Sequence, residues 1–483
     1  MTGYTFLDWS ADETIYAIRH RHITARKYIT SVLSQANKVA PLNSIINLLA
    51  DDALTAADAI DQKIAHGLPL GPLAGLAIVA KDNINLAGHL TTAGTPALNC
   101  SRPDTTAPSL RKLIAAGAIV IGKANMHELA LGITSTNFSP FAGAVHNPYN
   151  DSMIPGGSSG GTAAAVASRI VTCGLGTDTG GSTRIPAALT GTVGFRPSVG
   201  NGGRERRYHD EGAVVPISHT RDTVGTLGRC MADVTLLDSI ITGGPRANPI
   251  DVSGVRFGLP PSLWNDLDNQ LQAVVTAAKA SLQAAGAVLV DADLPDLLAL
   301  DDKISLPLAL HEPIADIPAY LKANGYTNIT LADIAAKVAS PDVAKLFEAI
   351  SSDAFGSQYN DAINIHRPAL QHMYQQYFTS NNLSAVLFPT TVLPARPIDL
   401  IHGSGNVSIN GGPPVDAFAT YIRLTSPGSD AGIPGLSIPA GLTSDRLPVG
   451  IEIDGPLGSD MTLLGLGLTI EKKFGRLPPP PGC

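Results

Sequence analysis

The sequence predicts an α/β fold in which a mixed central β-sheet is covered on both faces by α-helices, with a helical cap region added to it. Three observations support this prediction. Short apolar runs of strand length alternate with segments of helical periodicity between residues 67 and 200. The strand-like pattern returns after residue 380. The stretch between, residues 300–380, has helical periodicity and holds a good share of the tyrosines, which indicates one core interrupted by a covering segment.

The periodicity of apolar residues assigns the elements in chain order. Residues 8–65 have a helical pattern, with helices predicted over residues 23–36 and 41–64. The elements of the core follow: strand 76–80, helix 109–116, strand 118–121, helix 126–131, helix 268–285 ended by Gly286, and strands 287–291, 384–389, 435–439 and 447–453.

Turn-rich sequence and changes of pattern divide the chain into five stretches. Residues 1–66 are expected to be an N-terminal helical segment packed on the core, and residues 67–299 to form the main core. Residues 300–380 form the helical covering region, residues 381–475 return to the core sheet, and residues 476–483 are a proline-rich tail. The sequence contains no internal repeat.

Composition argues against several classes of partner. The chain of 483 residues is 44% hydrophobic and 15% charged with a formal net charge of -8, so it can bury a large core but offers no basic surface to a nucleic acid. No apolar run approaches the ~18 residues of a membrane span, and the start lacks the basic and apolar regions of a secretory signal. The four cysteines are far apart without metal-ligand spacing, so we expect a reduced, cytoplasmic protein without a membrane partner.

Two glycine loops that carry serine are the most informative feature of the sequence. Residues 156–161 are Gly-Gly-Ser-Ser-Gly-Gly, and residues 179–182 are Thr-Gly-Gly-Ser. Glycine destabilises the interior of regular elements, so its density here indicates backbone that approaches a reacting group closely. The N–H groups of the second loop can then face one concavity and stabilise a developing negative charge, namely those of Thr179, Gly180, Gly181 and Ser182.

A serine nucleophile needs a proton acceptor, and Lys81 is the best candidate for it. None of the twelve histidines has a sequence setting that marks it as a base. Lys81 follows the apolar strand of residues 76–80, at the point where the chain leaves the sheet. Desolvation disfavours an ammonium ion there, so Lys81 can lose its proton near neutral pH. An ordinary ion pair with the adjacent Asp82 is the alternative interpretation.

These motifs resemble those of the amidase signature family, and the resemblance covers most of the chain. The lysine of the family lies in Lys-Asp-Asn, as Lys81 does. The bridging serine of the family is held through a cis peptide bond and is the first serine of Gly-Gly-Ser-Ser-Gly-Gly, as Ser158 is. The acylated serine of the family ends Asp-Thr-Gly-Gly-Ser, as Ser182 does. The resemblance implies an amide hydrolase in which Lys81 accepts a proton from Ser158, Ser158 takes one from Ser182, and Ser182 attacks the carbonyl. It implies no cofactor.

Three further residues match the family pattern in supporting roles. Asp178 and Arg184 flank the nucleophile, and we expect them to order its loop through an ion pair or backbone hydrogen bonds. Ser159 is expected to support the first loop through its hydroxyl. The resemblance also implies that residues 130–133 line one side of the substrate pocket, while residues 300–380 build much of the remainder.

Rival motifs fit the sequence less well. Residues 156–160 also satisfy the Gly-x-Ser-x-Gly elbow of α/β-hydrolases, but a turn-rich loop precedes them where the elbow needs a strand. A phosphate-binding loop needs a lysine that Gly160-Gly161-Thr162 lacks. The pair His127-Glu128 lacks the second histidine of a zinc motif, because residue 131 is leucine, so no metal is expected.

Segments downstream of the glycine loops favour one subgroup of the family. Residues 215–225, 431–439 and 449–456 look most like the mandelamide and indoleacetamide hydrolases, which act on aryl-substituted primary amides. We therefore expect a small aryl-substituted amide as substrate. The same acyl-enzyme chemistry serves carbamates, anilides and esters, and a glutamine-hydrolysing amidotransferase subunit is a further alternative within the family. The family also suggests a homodimer.

Overall fold

The computed structural model describes residues 6–482, which contain one large β-sheet and a separate two-stranded one. Within these residues the eleven strands of the large sheet lie in the order β1-β3-β2-β4-β6-β5-β12-β13-β9-β7-β8, and β10 pairs with β11. The strands are β1 Ile45–Leu48, β2 Ala77–Lys81, β3 Ile119–Ala124, β4 Cys173–Asp178, β5 Val193–Arg196, β6 Thr223–Gly228, β7 Arg256–Gly258, β8 Val288–Val290, β9 Ala385–Pro389, β10 Asn406–Val407, β11 Val415–Asp416, β12 Gly435–Leu442 and β13 Pro448–Asp454.

No helix between residues 6 and 482 is both long enough and apolar enough to cross a membrane. The α-helices of this part of the chain are α1 Ala11–Arg19, α2 Ala25–Lys38, α3 Ala50–Ala65, α4 Pro108–Ala115, α5 Gly160–Ala167, α6 Arg184–Thr190, α7 Met231–Thr242, α8 Asn269–Ala284, α9 Leu297–Asp301, α10 Ser305–His311, α11 Pro313–Ala323, α12 Leu331–Ala335, α13 Pro341–Ser351, α14 Gly356–Asp361, α15 Arg367–Ser380, α16 Ala417–Ile422, α17 Ser426–Ala431 and α18 Asp460–Phe474.

The strand directions are mixed, as the sequence predicts. β2 is parallel to both of its neighbours, β3 and β4, whereas every pair from β4 across to β9 is antiparallel. Because β2 and β4 are parallel neighbours, their carboxyl ends reach the same edge of the sheet. Lys81 ends β2 and Asp178 ends β4, so the sheet itself brings the lysine next to the second glycine loop.

Helices cover both faces of the sheet, because alternate residues of single strands pack in different apolar clusters. In β2, Ile78 and Ala80 pack in a cluster that includes residues of α4, α7 and α18. Ala77 and Val79 belong to a second cluster with residues of α2, α3 and α5. β9 divides its residues between two clusters in the same way. The predicted layered α/β fold is therefore confirmed.

Helices α10 to α13 pack together on one part of the core. They contribute Leu310, Tyr320 and Phe347 to a common apolar cluster. The core contributes loop residues to the same cluster, among them Ala130 and Ile217. This part of the helical segment predicted between residues 300 and 380 thus rests on the two loops that follow β3 and precede β6, whereas α15 packs in another cluster with β9.

The helix predicted over residues 41–64 is wrong in its first part. A short 3₁₀ turn and Asn43, with φ of 52°, end the helical path, and β1 then pairs antiparallel with β3. Ile45 and Ile46 are β-branched, and pairing with an otherwise unpaired edge of the sheet overrides the apolar spacing that suggests a helix. The helix itself begins only at α3.

The helix predicted over residues 126–131 is also wrong. Only a 3₁₀ turn forms at Glu128–Ala130, and Leu129 and Ala130 have φ of 54° and 59°. The polar side chains of this segment point to the covering helices: both carboxylate oxygens of Glu128 accept the Ala339 N–H at 3.1 Å. Contacts with another element therefore replace the internal hydrogen bonds of a helix.

Candidate active site

Lys81, at the end of β2, meets the first glycine loop. Its Nζ lies 2.8 Å from Ser158 Oγ and 2.8 Å from Thr177 Oγ1. Asn83 Nδ2 donates to the same threonine oxygen at 3.1 Å. The Lys81 side chain is fully buried, and burial lowers its pKa from 10.5 to about 7 despite two carboxylates in the surroundings. A neutral lysine is therefore well populated near neutral pH.

A second buried lysine, Lys123 on β3, shows why Lys81 differs. Asp82 does not pair with Lys81; its Oδ1 lies 3.2 Å from Lys123 Nζ. The Leu90 carbonyl and the Thr91 hydroxyl also accept from Lys123, each at 3.1 Å. Asp82 thus opposes the burial that lowers the pKa of Lys123, whereas the atoms nearest to Lys81 Nζ are neutral hydroxyls. The alternative interpretation of Lys81 as the partner of Asp82 is wrong.

The first glycine loop presents the Ser158 hydroxyl to Lys81. The peptide bond between Gly157 and Ser158 is cis, as the family resemblance implies. The Ser158 carbonyl accepts the His127 N–H at 3.1 Å, so the segment that follows β3 holds this loop from one side. Ser158 itself is fully buried.

Ser159, the second serine of this loop, turns towards β4. Its hydroxyl donates to the Thr177 carbonyl at 3.1 Å and lies 3.2 Å from the Thr177 nitrogen. Its own N–H donates to the Ser182 carbonyl at 3.0 Å and so fastens the two glycine loops together. These contacts are those of a structural residue, which agrees with the supporting role that the sequence predicts.

Asp178 organises the second glycine loop. Its Oδ1 accepts the Gly181 N–H at 2.9 Å and its Oδ2 accepts the Thr183 N–H at 3.0 Å. Arg184 donates to both carboxylate oxygens at 3.1 Å, and Arg196 donates to Oδ1 at 3.2 Å. Burial alone would raise the pKa of the Asp178 carboxyl, but the two guanidinium groups hold it well below its usual range. The predicted ion pair between Asp178 and Arg184 is present.

The N–H groups of the second loop do not all point the same way. The sequence predicts that four of them face one concavity, but the Gly181 N–H is directed at Asp178 instead. Gly181 has φ of +138°, and a Cβ there would lie 2.2 Å from Thr425 Oγ1, so no other residue fits. In the described part of the chain no protein acceptor bonds to the remaining three N–H groups, those of Thr179, Gly180 and Ser182.

The Ser182 hydroxyl belongs to the last residue of the second glycine loop. Ser182 is 7% exposed, and its hydroxyl makes no hydrogen bond with Ser158 or with any other residue between 6 and 482. The structure therefore brings Lys81 and Ser158 into direct contact and joins Ser182 to them through the backbone contact of Ser159. An unbonded hydroxyl is free to turn about its side-chain torsion.

The sequence reasoning missed the support that comes from the C-terminal part of the chain. Arg184 Nη1 donates to Glu452 Oε1 at 2.5 Å, and Thr425 Oγ1 donates to the Gly180 carbonyl at 2.6 Å. Glu452 and Asp454 are buried on β13, where burial raises the pKa of both carboxyl groups. The sequence does contain a sign of this support, because two acidic residues in an otherwise apolar strand require a buried partner of opposite charge.

A cavity of about 300 Å³ lies beside the second glycine loop. Asn83, Thr177 and Thr179 form its end next to Lys81, while Ser158 and Ser182 do not themselves line it. A single residue of the predicted pocket segment 130–133 reaches it, Ala130. Most of the wall is apolar and comes from Val214, Val215, Pro216, Ile217 and Val224 of the core and from Ala319, Tyr320 and Ala323 of α11.

One group of possible metal ligands lies at the edge of this cavity. His219, Glu312 and Asp316 place ligand atoms within 4.8 Å of one another. The Glu312 carboxylate already accepts the hydroxyls of Ser218 at 2.5 Å and Tyr359 at 3.1 Å, and Asp316 accepts the His219 N–H at 2.7 Å. The His219 ring nitrogen lies 3.0 Å from Asp316 as well, so the three side chains form a hydrogen-bonded network with one another and with neighbouring donors.

Comparisons with known proteins identify relatives along almost the whole chain. The chain is 40% identical to an indoleacetamide hydrolase of Agrobacterium vitis over 96% of each chain. It is 39% identical to a mandelamide hydrolase of Pseudomonas putida, over 96% of this chain and 91% of the other.

Solved structures give the same result. The crystal structure of an amidase superposes with a TM-score of 0.84 at 31% identity, covering 97% of this chain and 100% of the other. The native peptide amidase of Stenotrophomonas maltophilia superposes with a TM-score of 0.82 at 27% identity over 99% of each chain. The sequence profile of the family described as Amidase matches residues 27–464, so the chain belongs to the amidase family of amide hydrolases.

Proposed function

We propose that this chain hydrolyses small aryl-substituted primary amides through an acyl-enzyme on Ser182, with Ser158 and Lys81 as the proton relay. The observation that carries the proposal is the contact of 2.8 Å between Lys81 Nζ and Ser158 Oγ, at a lysine whose pKa burial lowers to about 7. A base that is neutral near pH 7 can take a proton from a hydroxyl, which in turn can take one from a nucleophile.

Acylation begins with attack of Ser182 Oγ on the carbonyl carbon of the amide. The proton of the Ser182 hydroxyl passes to Ser158 Oγ, the proton of Ser158 passes to Lys81 Nζ, and the π electrons of the carbonyl move to its oxygen. The contact between Lys81 and Ser158 supports the second transfer. The first transfer requires the unbonded Ser182 hydroxyl to turn towards Ser158, while the Ser159 N–H keeps the two loops together.

The negative oxygen of the tetrahedral intermediate is assigned to the N–H groups of Thr179, Gly180 and Ser182. Within residues 6–482 these groups have no protein acceptor. Other contacts fix the loop from behind: Thr179 Oγ1 donates to Asp222 at 2.5 Å, and the Gly180 carbonyl accepts from Thr425. Fixed donors of this kind each lower the barrier of acyl transfer by about 2.7–4 kcal/mol.

Collapse of the intermediate breaks the C–N bond. The proton held by Lys81 returns through Ser158 to the departing nitrogen, which leaves as ammonia, and the acyl group stays as an ester on Ser182. A water molecule then attacks the ester and gives its proton to the same relay. The relay returns that proton to Ser182 Oγ as the C–O bond of the ester breaks and the carboxylic acid is released.

The preference for an aryl substrate has two supports. The cavity of about 300 Å³ has mostly apolar walls, and burial of an apolar ring of phenylalanine size contributes roughly 1.5–3 kcal/mol. Relatives at 39–40% identity are named indoleacetamide hydrolase and mandelamide hydrolase, and both names denote arylacetamide substrates.

Product analysis on the purified chain tests the proposal. Phenylacetamide, its anilide, its ethyl ester, a phenyl carbamate and glutamine are each incubated with the enzyme, and acid and amine products are measured by mass spectrometry. Ser182→Ala serves as the blank. Ser159→Ala is the matched control, because between residues 6 and 482 its hydroxyl hydrogen-bonds only to the backbone of Thr177. A rapid quench with intact-mass analysis detects the acyl group on the protein.

We expect the wild type and Ser159→Ala to release ammonia from the primary amide and to form an acyl adduct. Ser182→Ala should do neither. A higher kcat/KM for the carbamate, anilide or ester would keep the mechanism and overturn the substrate class. Turnover of glutamine alone would favour an amidotransferase subunit. Ammonia release that persists in Ser182→Ala would overturn the nucleophile.

A further inference from the structure

The wall of the cavity carries more acidic than basic side chains. Its described ionisable members, apart from two tyrosines, are Asp210, Glu211, Asp222, Asp316, Arg206 and His219. The side chains of Glu211 and Asp316 are 49% and 15% exposed, so their carboxylates have surface that a ligand can meet. A ligand in this cavity therefore lies beside acidic groups.

The one guanidinium group on the described wall is already bonded to protein groups. Arg206 Nε lies 3.1 Å from the Glu211 carboxylate. Arg206 Nη1 donates to the Asp222 carbonyl and Nη2 to the His219 carbonyl. The Arg206 side chain is only 4% exposed. Glu211 thus neutralises the charge of Arg206 at the place where a carboxylate of a ligand could otherwise pair with it.

The imidazole of His219 is paired in the same way, whereas one carboxylate has no cation as its partner. His219 Nδ1 lies 3.0 Å from Asp316 Oδ2. The described donors to the Asp222 carboxylate are uncharged, namely the Thr179 hydroxyl at 2.5 Å and two backbone N–H groups at 2.7 and 2.9 Å. Each basic side chain of the wall therefore has an acidic partner, and acidic groups remain in excess.

We propose that Glu211 makes the cavity selective for amides with an uncharged acyl group, because it neutralises Arg206 and leaves a substrate carboxylate without a partner. This inference rests on the proposed function. A carboxylate that enters a mostly apolar cavity loses its hydration. Here it gains no free cation in exchange and meets groups of like charge. The rejected class is therefore amides whose acyl group carries a second carboxylate.

Two substrates of the same shape test the inference, 4-nitrophenylacetamide and 4-carboxyphenylacetamide. Nitro and carboxylate groups are both planar and of similar size, but only the carboxylate is charged. The kcat/KM of both amides is measured for the wild type and for Glu211→Gln, which removes the charge next to Arg206. The wild type is measured at about 20 mM and about 500 mM sodium chloride, because salt screens charges that are accessible to solvent.

Glu205→Gln is the matched control variant. It removes one negative charge from the same stretch of chain, but Glu205 is exposed and does not line the cavity. The Glu205 carboxylate accepts the Asn201 N–H at 2.7 Å, and the amide oxygen of glutamine can accept the same bond. This variant therefore reports the effect of net charge alone.

In the wild type we expect kcat/KM to be about a hundredfold higher for the nitro compound than for the carboxylate. The ratio should fall by about tenfold in Glu211→Gln, where Arg206 becomes available to the anion, and by less than about twofold in Glu205→Gln. It should also fall at the higher salt concentration. Because each ratio is taken within one protein, a general loss of activity cancels.

A ratio near one in the wild type overturns the inference, because the anion then enters without opposition. The same ratio in the wild type and in Glu211→Gln also overturns it, since lost hydration alone would then exclude the anion. An equal fall in both variants assigns the effect to net charge and overturns the role of Glu211.

Phenylacetamide separates the failure of this inference from that of the proposed function. If the wild type hydrolyses neither it nor the two substituted amides, the proposed function fails and the inference fails with it. Hydrolysis of phenylacetamide and of both substituted amides at similar kcat/KM leaves the proposed function intact and removes only the selectivity assigned to Glu211.

Discussion

Replacing Lys81 by methionine should abolish activity and at the same time stabilise the protein. Methionine has a similar length and an apolar, flexible side chain, so it fits the fully buried position. The native lysine is held with a pKa of about 7, while the same side chain in the unfolded chain has a pKa of 10.5. The unfolded state therefore binds more protons between these two pH values, and the free energy of unfolding of the wild type rises with pH in that window.

The size of this change in stability follows from the difference between the native and unfolded pKa values of Lys81. Protonation of Lys81 in the unfolded state lowers the free energy of unfolding by roughly 4 kcal/mol at pH 7 and by about 1 kcal/mol at pH 10. Methionine removes this cost but also loses the two hydrogen bonds to Ser158 and Thr177, each of about 1 kcal/mol. We expect Lys81→Met to be more stable than the wild type by about 2 kcal/mol at pH 7 and less stable by about 1 kcal/mol at pH 10.

Urea denaturation of both proteins at pH 7 and at pH 10 measures this difference. Effects of pH on other groups are shared by the two chains and cancel in the comparison. A difference in stability between the variant and the wild type that does not change between the two pH values would refute the depressed pKa, and with it the neutral base. Full amide hydrolysis by Lys81→Met would refute the relay independently.

Four other predictions follow from the same contacts. In wild-type enzyme, kcat/KM should rise about tenfold per pH unit below pH 7 and level off above it, because only neutral Lys81 accepts a proton; a flat profile from pH 5 to pH 8 would contradict a lysine base. Ser182→Ala should retain less than about a thousandth of kcat with an unchanged urea midpoint, since the Ser182 hydroxyl hydrogen-bonds to none of the described residues; substantial turnover would exclude Ser182 as the nucleophile. Asp178→Asn should reduce the free energy of unfolding by roughly 3–5 kcal/mol, because it leaves the buried guanidinium groups of Arg184 and Arg196 without their shared carboxylate. A loss under about 1 kcal/mol would show that neighbouring carboxylates compensate these two charges without Asp178. Asp342→Asn, which removes the charge 3.0 Å from His127 Nε2, should raise KM more than it lowers kcat, because it loosens the covering helices and leaves the relay in place; a pure loss of kcat would contradict this.

The local chemistry of the site could be predicted because each signal is confined to a few neighbouring residues. An apolar strand ending in Lys81 implies a desolvated lysine, and the glycines of residues 179–182 imply an unusual backbone path. The structure has both features. The mixed sheet followed from the alternation of strand and helix patterns, and this fold class holds although two of the predicted helical segments are wrong.

What escaped prediction depends on contacts between distant parts of the chain. The direction of the Gly181 N–H is set by the Asp178 carboxylate, whose position depends on two arginines and on the sheet. The strand at Ile45–Leu48 forms because β3 would otherwise be an unpaired edge, and its own apolar spacing does not reveal that. The five-part division of the chain and the homodimer stay predictions.

The loop that carries Ser182 is held in part by residues that lie more than two hundred positions further along the chain. Thr425 donates to the Gly180 carbonyl, and Glu452 accepts a hydrogen bond from Arg184 Nη1. On a ribosome, which releases the chain from its N-terminus, the guanidinium of Arg184 therefore lacks its partner Glu452 until strand β13 has been synthesised. We expect the partly synthesised enzyme to have no hydrolytic activity before that strand is in place.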